Sequence, residues 1–298
     1  MKLAIDIGSN TIKCLLASPD GRGGVDKLYE EILDSRICGA GNALVENAAE
    51  LVSSAVLHFV AEAKKHVPEF ETVAVATSAL RDSPDRWRVI DAVFAKTGVC
   101  VKILSGDEEA NLSYRGAMCG MRGNLDSSKE CVYFDLGGGS LELVCGDGAK
   151  VSLARSMPVG AVRLTRAFFG DGTTPQNAEL AGEYVSRILE DSAAGFPKGA
   201  ALVGAGGAVS AARIMKARMV LGGEPAVITL GQMREMADIA VASSPEKLVK
   251  DYGIPAYRAD IIAAAFITIV RLCGFLGADS LTHTFFNLRY GIILEDIK

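Results

Sequence analysis

The chain has 298 residues, 49% hydrophobic and 22% charged, with a formal net charge of −5. That length buries a full core in one large domain or two ordinary ones, and the composition excludes a disordered chain. The acidic balance argues against a protein built on non-specific nucleic-acid binding, so a polyanionic ligand requires a local basic surface or a metal. The seven cysteines form no C-x-x-C pair, which suggests neither a disulfide framework nor a zinc site and predicts reduced thiols. Asp6 interrupts the first apolar stretch before a signal-peptide core forms, and the longest apolar run, Ile261 to Val270, is too short for a membrane span. The expectation is a cytoplasmic protein with neither a membrane nor a specific nucleic acid as partner.

In chain order, Leu3 to Ile7 reads as a first strand that ends at Asp6-Ile7-Gly8-Ser9-Asn10-Thr11, with Ile12 to Ala17 as its hairpin partner. Val25 to Arg36 predicts a third strand from the alternation around Leu28, Ile32 and Leu33. Glu46 to Val67 carries Leu51, Val52, Ala55, Val56, Phe59, Val60 and Ala63 at helical spacing, the pattern of an amphipathic helix. Val73 to Ala76 is a short buried strand, followed by a loop over Thr77 to Asp82. Ser83-Pro84 supplies an N-cap and first-turn proline for a helix toward Lys96, stopped by Gly98. Val101 to Leu104 is a strand, Ser105 opens a helix to Cys119, and Gly120 to Lys129 reads as a connection between domains.

The second half repeats this plan. Cys131 to Leu136, Leu141 to Cys145 and Lys150 to Met157 predict three strands, and Val159 to Phe169 and Pro175 to Ala194 predict helices. Ala200 to Val203 is a strand ending in Gly204-Ala205-Gly206-Gly207-Ala208, with a helix from Val209. Helices near Thr229 to Val241 and Tyr257 to Cys273, a strand at Leu281-Thr282 and a helix from Asn287 to Ile297 complete the chain. Both halves therefore read β-β-β-α-β-α-β-α, with additions. The expected domains are residues 1–122 and 123–298, with segment 286–298 able to pack back on the first; they are expected to flank a central cleft.

The stretch Tyr133-Phe134-Asp135-Leu136-Gly137-Gly138-Gly139-Ser140-Leu141-Glu142 is a hairpin whose turn is almost bare backbone. Glycine admits positive φ and keeps no Cβ between an anion and the amides, so the turn is either a tight structural hairpin or a phosphate cradle. Asp6 stands before the first turn as Asp135 stands before this one. One such aspartate alone would bond its own turn, whereas the matched pair points to a divalent cation bridging substrate phosphates. Ser105-x-x-Glu108 fits a capping box, which leaves Glu109, about 100° further round the helix, either a first-turn partner of the helix dipole or a base that activates water. Glu142 shares a strand face with Ser140. Arg81 is either a phosphate clamp or a surface arginine. Gly206 and Gly207 form either a phosphate or nucleotide contact at a helix N-terminus or a close turn.

Six stretches in this order resemble the exopolyphosphatase/guanosine pentaphosphate phosphohydrolase family: Ala4 to Thr11, Ala76 to Asp82, Leu104 to Ala110, Phe134 to Glu142, Pro158 to Thr165 and Val203 to Gly207. Asn287-Leu-Arg-Tyr-Gly-Ile-Ile is similar to the family's closing helix. The resemblance implies an α/β fold of duplicated actin-like, ribonuclease H-like domains, as in sugar kinases, Hsp70 and actin. It also implies Mg²⁺- or Mn²⁺-dependent hydrolysis of the terminal phosphoanhydride of inorganic polyphosphate, or of guanosine pentaphosphate (pppGpp). On it, Glu109 is the catalytic base and Glu142 a second catalytic carboxylate, while Asp6 and Asp135 hold metal and water. Ser9, Asn10, Thr11, Arg81, Gly137, Gly138, Gly139, Ser140, Gly206 and Gly207 contact phosphate. Asp85 stands where the family often has asparagine, and the helical C-terminal extension of long members is absent from the sequence. A homodimer is left open. Phosphotransfer of the sugar- or acetate-kinase kind, and a non-enzymatic alarmone or polyphosphate sensor, remain alternatives.

Overall fold

The computed structural model describes residues 1–39, 43–121, 130–148, 150–170 and 172–295. Most of the expected connection over 120–129 and the last residues of the closing helix lie outside these. The chain divides into two compact units, Met1–Arg122 with Phe286–Lys298, and Gly123–Phe285.

The first unit contains β1 (Lys2–Ile7), β2 (Thr11–Pro19), β3 (Val25–Asp34), α1 (Ala48–His66), β4 (Glu71–Ala76), α2 (Ser78–Arg81), α3 (Arg86–Thr97), β5 (Val101–Ile103) and α4 (Gly106–Gly120). Its sheet runs β3-β2-β1-β4-β5, antiparallel across β3, β2 and β1 and parallel from β1 through β4 to β5. The two-residue period of the strands divides the core. Leu3, Ile5, Ile7, Ala74 and Ala76 join Val52, Val56 and Phe59 of α1 and Val89 and Val93 of α3. Ala4, Leu15, Ala17, Val73 and Val75 join Leu112 of α4 and Leu288, Ile292 and Ile293 of the closing helix, Leu288–Leu294. That helix lies so close to α4 that a Cβ on Gly116 would overlap the Asn287 carbonyl and one on Gly291 the Leu112 carbonyl.

The second unit contains β6 (Cys131–Leu136), β7 (Leu141–Gly146), β8 (Val151–Met157), α5 (Ala161–Phe168), α6 (Pro175–Ser192), β9 (Ala201–Ala205), α7 (Gly206–Arg218), β10 (Val227–Thr229), α8 (Leu230–Ala242), α9 (Pro245–Tyr252), α10 (Ala256–Ala259), α11 (Ile262–Leu276) and β11 (Ser280–His283). Its sheet, β8-β7-β6-β9-β11-β10, repeats the first sheet's five positions and adds β10 at the edge, antiparallel to β11. The apolar face of β6 and β7, Val132, Phe134, Leu136, Leu141 and Leu143, packs in one core with α5, α6, α7, α8 and α11. The fold is thus the duplicated actin-like α/β architecture. Among the described residues no helix is long and apolar enough to cross a membrane.

Local departures from the expected elements have simple causes. Residues 78–81 form one helical turn rather than a loop. Asp85, not Ser83, precedes α3, and the Ser83 hydroxyl accepts the Asp85 amide at 3.1 Å. The apolar stretch before Cys273 breaks between α10 and α11. Helix α7 begins at Gly206 instead of Val209, because the glycines that read as a turn make its first residues. β10 and α9 were not expected, being too short to establish a period.

Val220 has φ 55° and is 87% exposed, in the position after α7 where Leu221 N–H returns to the Lys216 carbonyl at 3.1 Å. Glycine is the usual residue there because a β-branched side chain is strained at positive φ. Val220→Gly is expected to stabilise the protein by about 1 kcal/mol, read as a rise in Tm by calorimetry; an unchanged or lower Tm would contradict the strain.

Candidate active site

In the first unit, β1 and β2 place Asp6 opposite Lys13, and the ammonium lies 3.3 Å from the carboxylate. The turn between them closes through Gly8 N–H to the Thr11 carbonyl at 3.1 Å. Ser9, Asn10 and Thr11 are all buried, and the Ser9 hydroxyl lies 3.5 Å from that of Ser78 on α2. From the end of α2, Arg81 donates to the Leu104 carbonyl at 3.1 Å and to Glu109 Oε2 at 2.7 Å. Glu109 is only 7% exposed, and the charge-assisted bond from the guanidinium fixes its orientation. Glu108 takes the other role: its carboxylate and the Ser105 hydroxyl exchange hydrogen bonds with each other's backbone amides in a complete capping box. That bond to the Ser105 amide is the main reason the Glu108 carboxyl sits below its ordinary pKa.

In the second unit, the equivalent turn closes through Gly137 N–H to the Ser140 carbonyl at 3.0 Å. Its carbonyls are taken by the start of α5. Ala161 N–H donates to Gly137, Val162 and Arg163 N–H both donate to Gly138, and Arg163 Nε donates to Gly139 at 3.0 Å. In a trans peptide the N–H points opposite the preceding carbonyl, so the amides of Gly138, Gly139 and Ser140 are turned away from α5. Gly160 makes this approach feasible, since a Cβ there would overlap the Gly138 carbonyl.

Asp135, Glu142 and Ser156 lie in one register row across β6, β7 and β8. The Ser156 hydroxyl donates to Glu142 Oε1 at 2.9 Å, and the Tyr133 hydroxyl is 3.5 Å from Asp135 Oδ2. Gly206, at φ 86°, is the other neighbour of Asp135, whose Oδ1 occupies the space a Cβ there would take. Gly207 is covered by the Arg258 guanidinium. The two glycines are therefore packing positions as well as the start of α7.

Among the described residues no three His, Cys, Asp or Glu side chains converge in a metal cage. Mg²⁺ commonly takes one or two protein carboxylates and completes its shell with water and substrate phosphates, and the facing carboxylates of Asp135 and Glu142 fit that requirement. Asp6 fits less well, because Lys13 already lies against it. Lys13, Arg163 and Ser156 did not figure among the expected site residues. Lys13 and Ser156 become visible only once the strand registers are known, whereas Arg163 lies within the stretch Pro158 to Thr165.

His283, at the end of β11, is 4% exposed, with Nε2 3.1 Å from the Ser210 hydroxyl of α7. Burial, with Arg213 adding to it, lowers its pKa to about 4. The unfolded chain binds this proton near pH 6.5 and the folded chain does not, so the stability contributed by neutral His283 is present above pH 6.5 and is lost as pH falls toward 4. The loss amounts to about 3 kcal/mol at most. In a Tm-against-pH series, His283→Asn is expected to flatten the decline over that window; an identical decline in the variant would remove His283 as its source.

The sequence profile of the Ppx/GppA phosphatase family matches residues 32–298. The chain is 32% identical over 206 residues to an uncharacterized protein of Streptomyces coelicolor, an alignment covering 64% of this chain and 57% of that protein. It is 23% identical over 315 residues to a bifunctional 3-dehydroquinate synthase/phosphatase of Fusobacterium nucleatum, covering 100% of this chain and 47% of that protein. The chain thus spans about half the length of these curated relatives. A crystal structure of an exopolyphosphatase from Cytophaga hutchinsonii has the same fold, with a TM-score of 0.85 at 19% identity over 98% of this chain and 96% of that one. With the profile spanning most of its length and the fold in agreement, the chain belongs to the Ppx/GppA phosphatase family.

Proposed function

We propose that the protein is a cytoplasmic hydrolase that releases orthophosphate from the end of inorganic polyphosphate, with pppGpp as the alternative substrate. The observation that carries this reading is the triple-glycine turn, whose carbonyls are held by α5 and whose amides are thereby presented to an oxyanion. Family membership and the exopolyphosphatase among its structural relatives support the substrate class.

In this reading the first unit supplies the base. Glu109, oriented by Arg81, accepts a proton from the water that attacks the terminal phosphorus. Ser9, Asn10, Thr11 and Lys13 bind phosphate oxygens from the Asp6 turn, and Arg81 is a further phosphate contact in the same unit. The second unit binds the phosphoryl group through the amides of Gly138, Gly139 and Ser140, with Gly137 closing the turn. In the second unit Asp135, with Glu142 opposite it in the strand register, would hold Mg²⁺, which when bound would neutralise phosphate charge, whereas Asp6 in the first unit is held by Lys13. Glu142, fixed by Ser156, is the second catalytic carboxylate. A carboxylate placed for water activation favours hydrolysis over transfer to a sugar or acetate, and over a sensor without turnover.

Phosphate release from polyphosphate, pppGpp, and ATP with sugar or acetate acceptors, each with and without Mg²⁺, tests the reading. Release from polyphosphate is expected, Mg²⁺-dependent and without a phosphorylated acceptor; a phosphorylated acceptor defeats it, and faster release from pppGpp selects the alternative. Glu109→Gln is expected to lower kcat by about 10²–10⁴-fold with a smaller change in KM. Equal kcat in parent and variant would exclude Glu109 as the base. Glu142→Gln is likewise expected to lower kcat by about 10²–10⁴-fold with a smaller change in KM; equal kcat in parent and variant would remove Glu142 as a catalytic carboxylate.

A further inference from the structure

β6, β9 and β11 lie side by side and run parallel, with Phe134, Gly204 and His283 in one register row. Their carboxyl ends open on the same edge of the sheet, the edge at which ligands of open α/β sheets bind. β6 leads there into Asp135 and the triple-glycine turn. β11 leads into Thr284, whose amide donates to the Gly204 carbonyl at 2.9 Å, and then into Phe285. Two strand spacings, about 10 Å, separate β6 from β11.

Phe285 is 60% exposed, yet its ring is held in place. His283 meets it edge-on, with ring centroids 4.5 Å apart and planes at 72°, and the Arg213 guanidinium lies 5.0 Å from its centroid. α7 sets both neighbours. Gly206, Ser210 and Arg213 follow one another at i, i+4 and i+7, on the helix face that meets the end of β11. The Ser210 hydroxyl donates to the Gly206 carbonyl at 3.0 Å, so its oxygen accepts from His283 Nε2–H at 3.1 Å. His283 is thus fixed in one tautomer, and burial, which lowers its pKa to about 4, keeps it neutral. Arg213 makes no hydrogen bond or ion pair among the described residues.

A fixed aromatic ring offers nothing to phosphate oxygens, because its face carries the negative side of the quadrupole. A flat nucleobase stacks on such a ring, and a guanidinium beside it supplies donors for the oxygens that a nucleotide carries. Inorganic polyphosphate has no base to stack.

We propose that Phe285, flanked by Arg213 and held by His283, is a nucleobase-stacking platform, on which a nucleoside polyphosphate with its terminal phosphate at the triple-glycine turn lays its purine. The proposal rests on the phosphohydrolase reading and assigns it a residue that selects pppGpp by the part that polyphosphate lacks. Phosphate release from pppGpp and from tripolyphosphate is compared in the parent, Phe285→Ala and Phe285→Tyr. Phe285→Ala is expected to raise KM for pppGpp about tenfold, the loss of one stacked base, and to leave KM for tripolyphosphate within twofold of the parent's. Phe285→Tyr keeps the ring and is expected to match the parent on both.

A second readout needs no turnover. The chain has one tryptophan, Trp87. In a chain carrying Trp87→Phe and Phe285→Trp the fluorescence therefore reports on the platform alone, and GTP is expected to quench it saturably while tripolyphosphate leaves it unchanged. A KM for pppGpp within twofold of the parent's in Phe285→Ala, an equal rise on both substrates, or no quenching by GTP would overturn the proposal. If pppGpp is not hydrolysed, the quenching decides the platform by itself. If neither substrate releases phosphate, the hydrolase reading fails and the quenching still decides the platform.

Discussion

The first amides of α5 hold the carbonyls of the triple-glycine turn, and most of the candidate chemistry depends on that contact. A peptide cannot direct its N–H and C=O to the same side, so fixing one side of the turn on the helix commits the other to an acceptor outside it. Glycine is needed twice, in the turn for bare backbone and at Gly160 for close approach. The turn is therefore ordered by folding itself.

The two units share an architecture but not a chemistry. The same hairpin position holds Lys13 opposite Asp6 in one and Glu142 opposite Asp135 in the other. An ammonium across from an aspartate offsets the charge at the first turn. Two carboxylates side by side would repel and are best accommodated by a cation. A duplicated framework thus carries different charge pairs at equivalent positions. The Arg81–Glu109 pair adds a third element, a buried carboxylate oriented by a guanidinium.

Backbone strain sorts in the same manner. At Val220 the positive φ terminates a helix on an exposed surface, where it has a conformational explanation. At Arg36 it accompanies the paired donation of the Ser35 and Arg36 amides to the Asn10 carbonyl.

Local chemistry made much of this protein legible from its residues alone. The alternation of Leu3, Ile5 and Ile7, the helical spacing from Leu51 to Ala63, the capping box at Ser105 and the glycine turn are short-range signals set by backbone sterics and hydrogen bonding. The repeated element order and the prominence of Asp6, Asp135, Glu109 and Glu142 followed from them. Tertiary structure alone decided which side chains meet. Arg81 reaches Glu109, Ser156 reaches Glu142, the closing helix joins α4 through Gly116 and Gly291, and Arg258 covers Gly207, all between residues distant in sequence. Sequence periodicity specifies the face on which a residue lies, but strand register and helix packing specify the neighbour, and the candidate site is composed of neighbours.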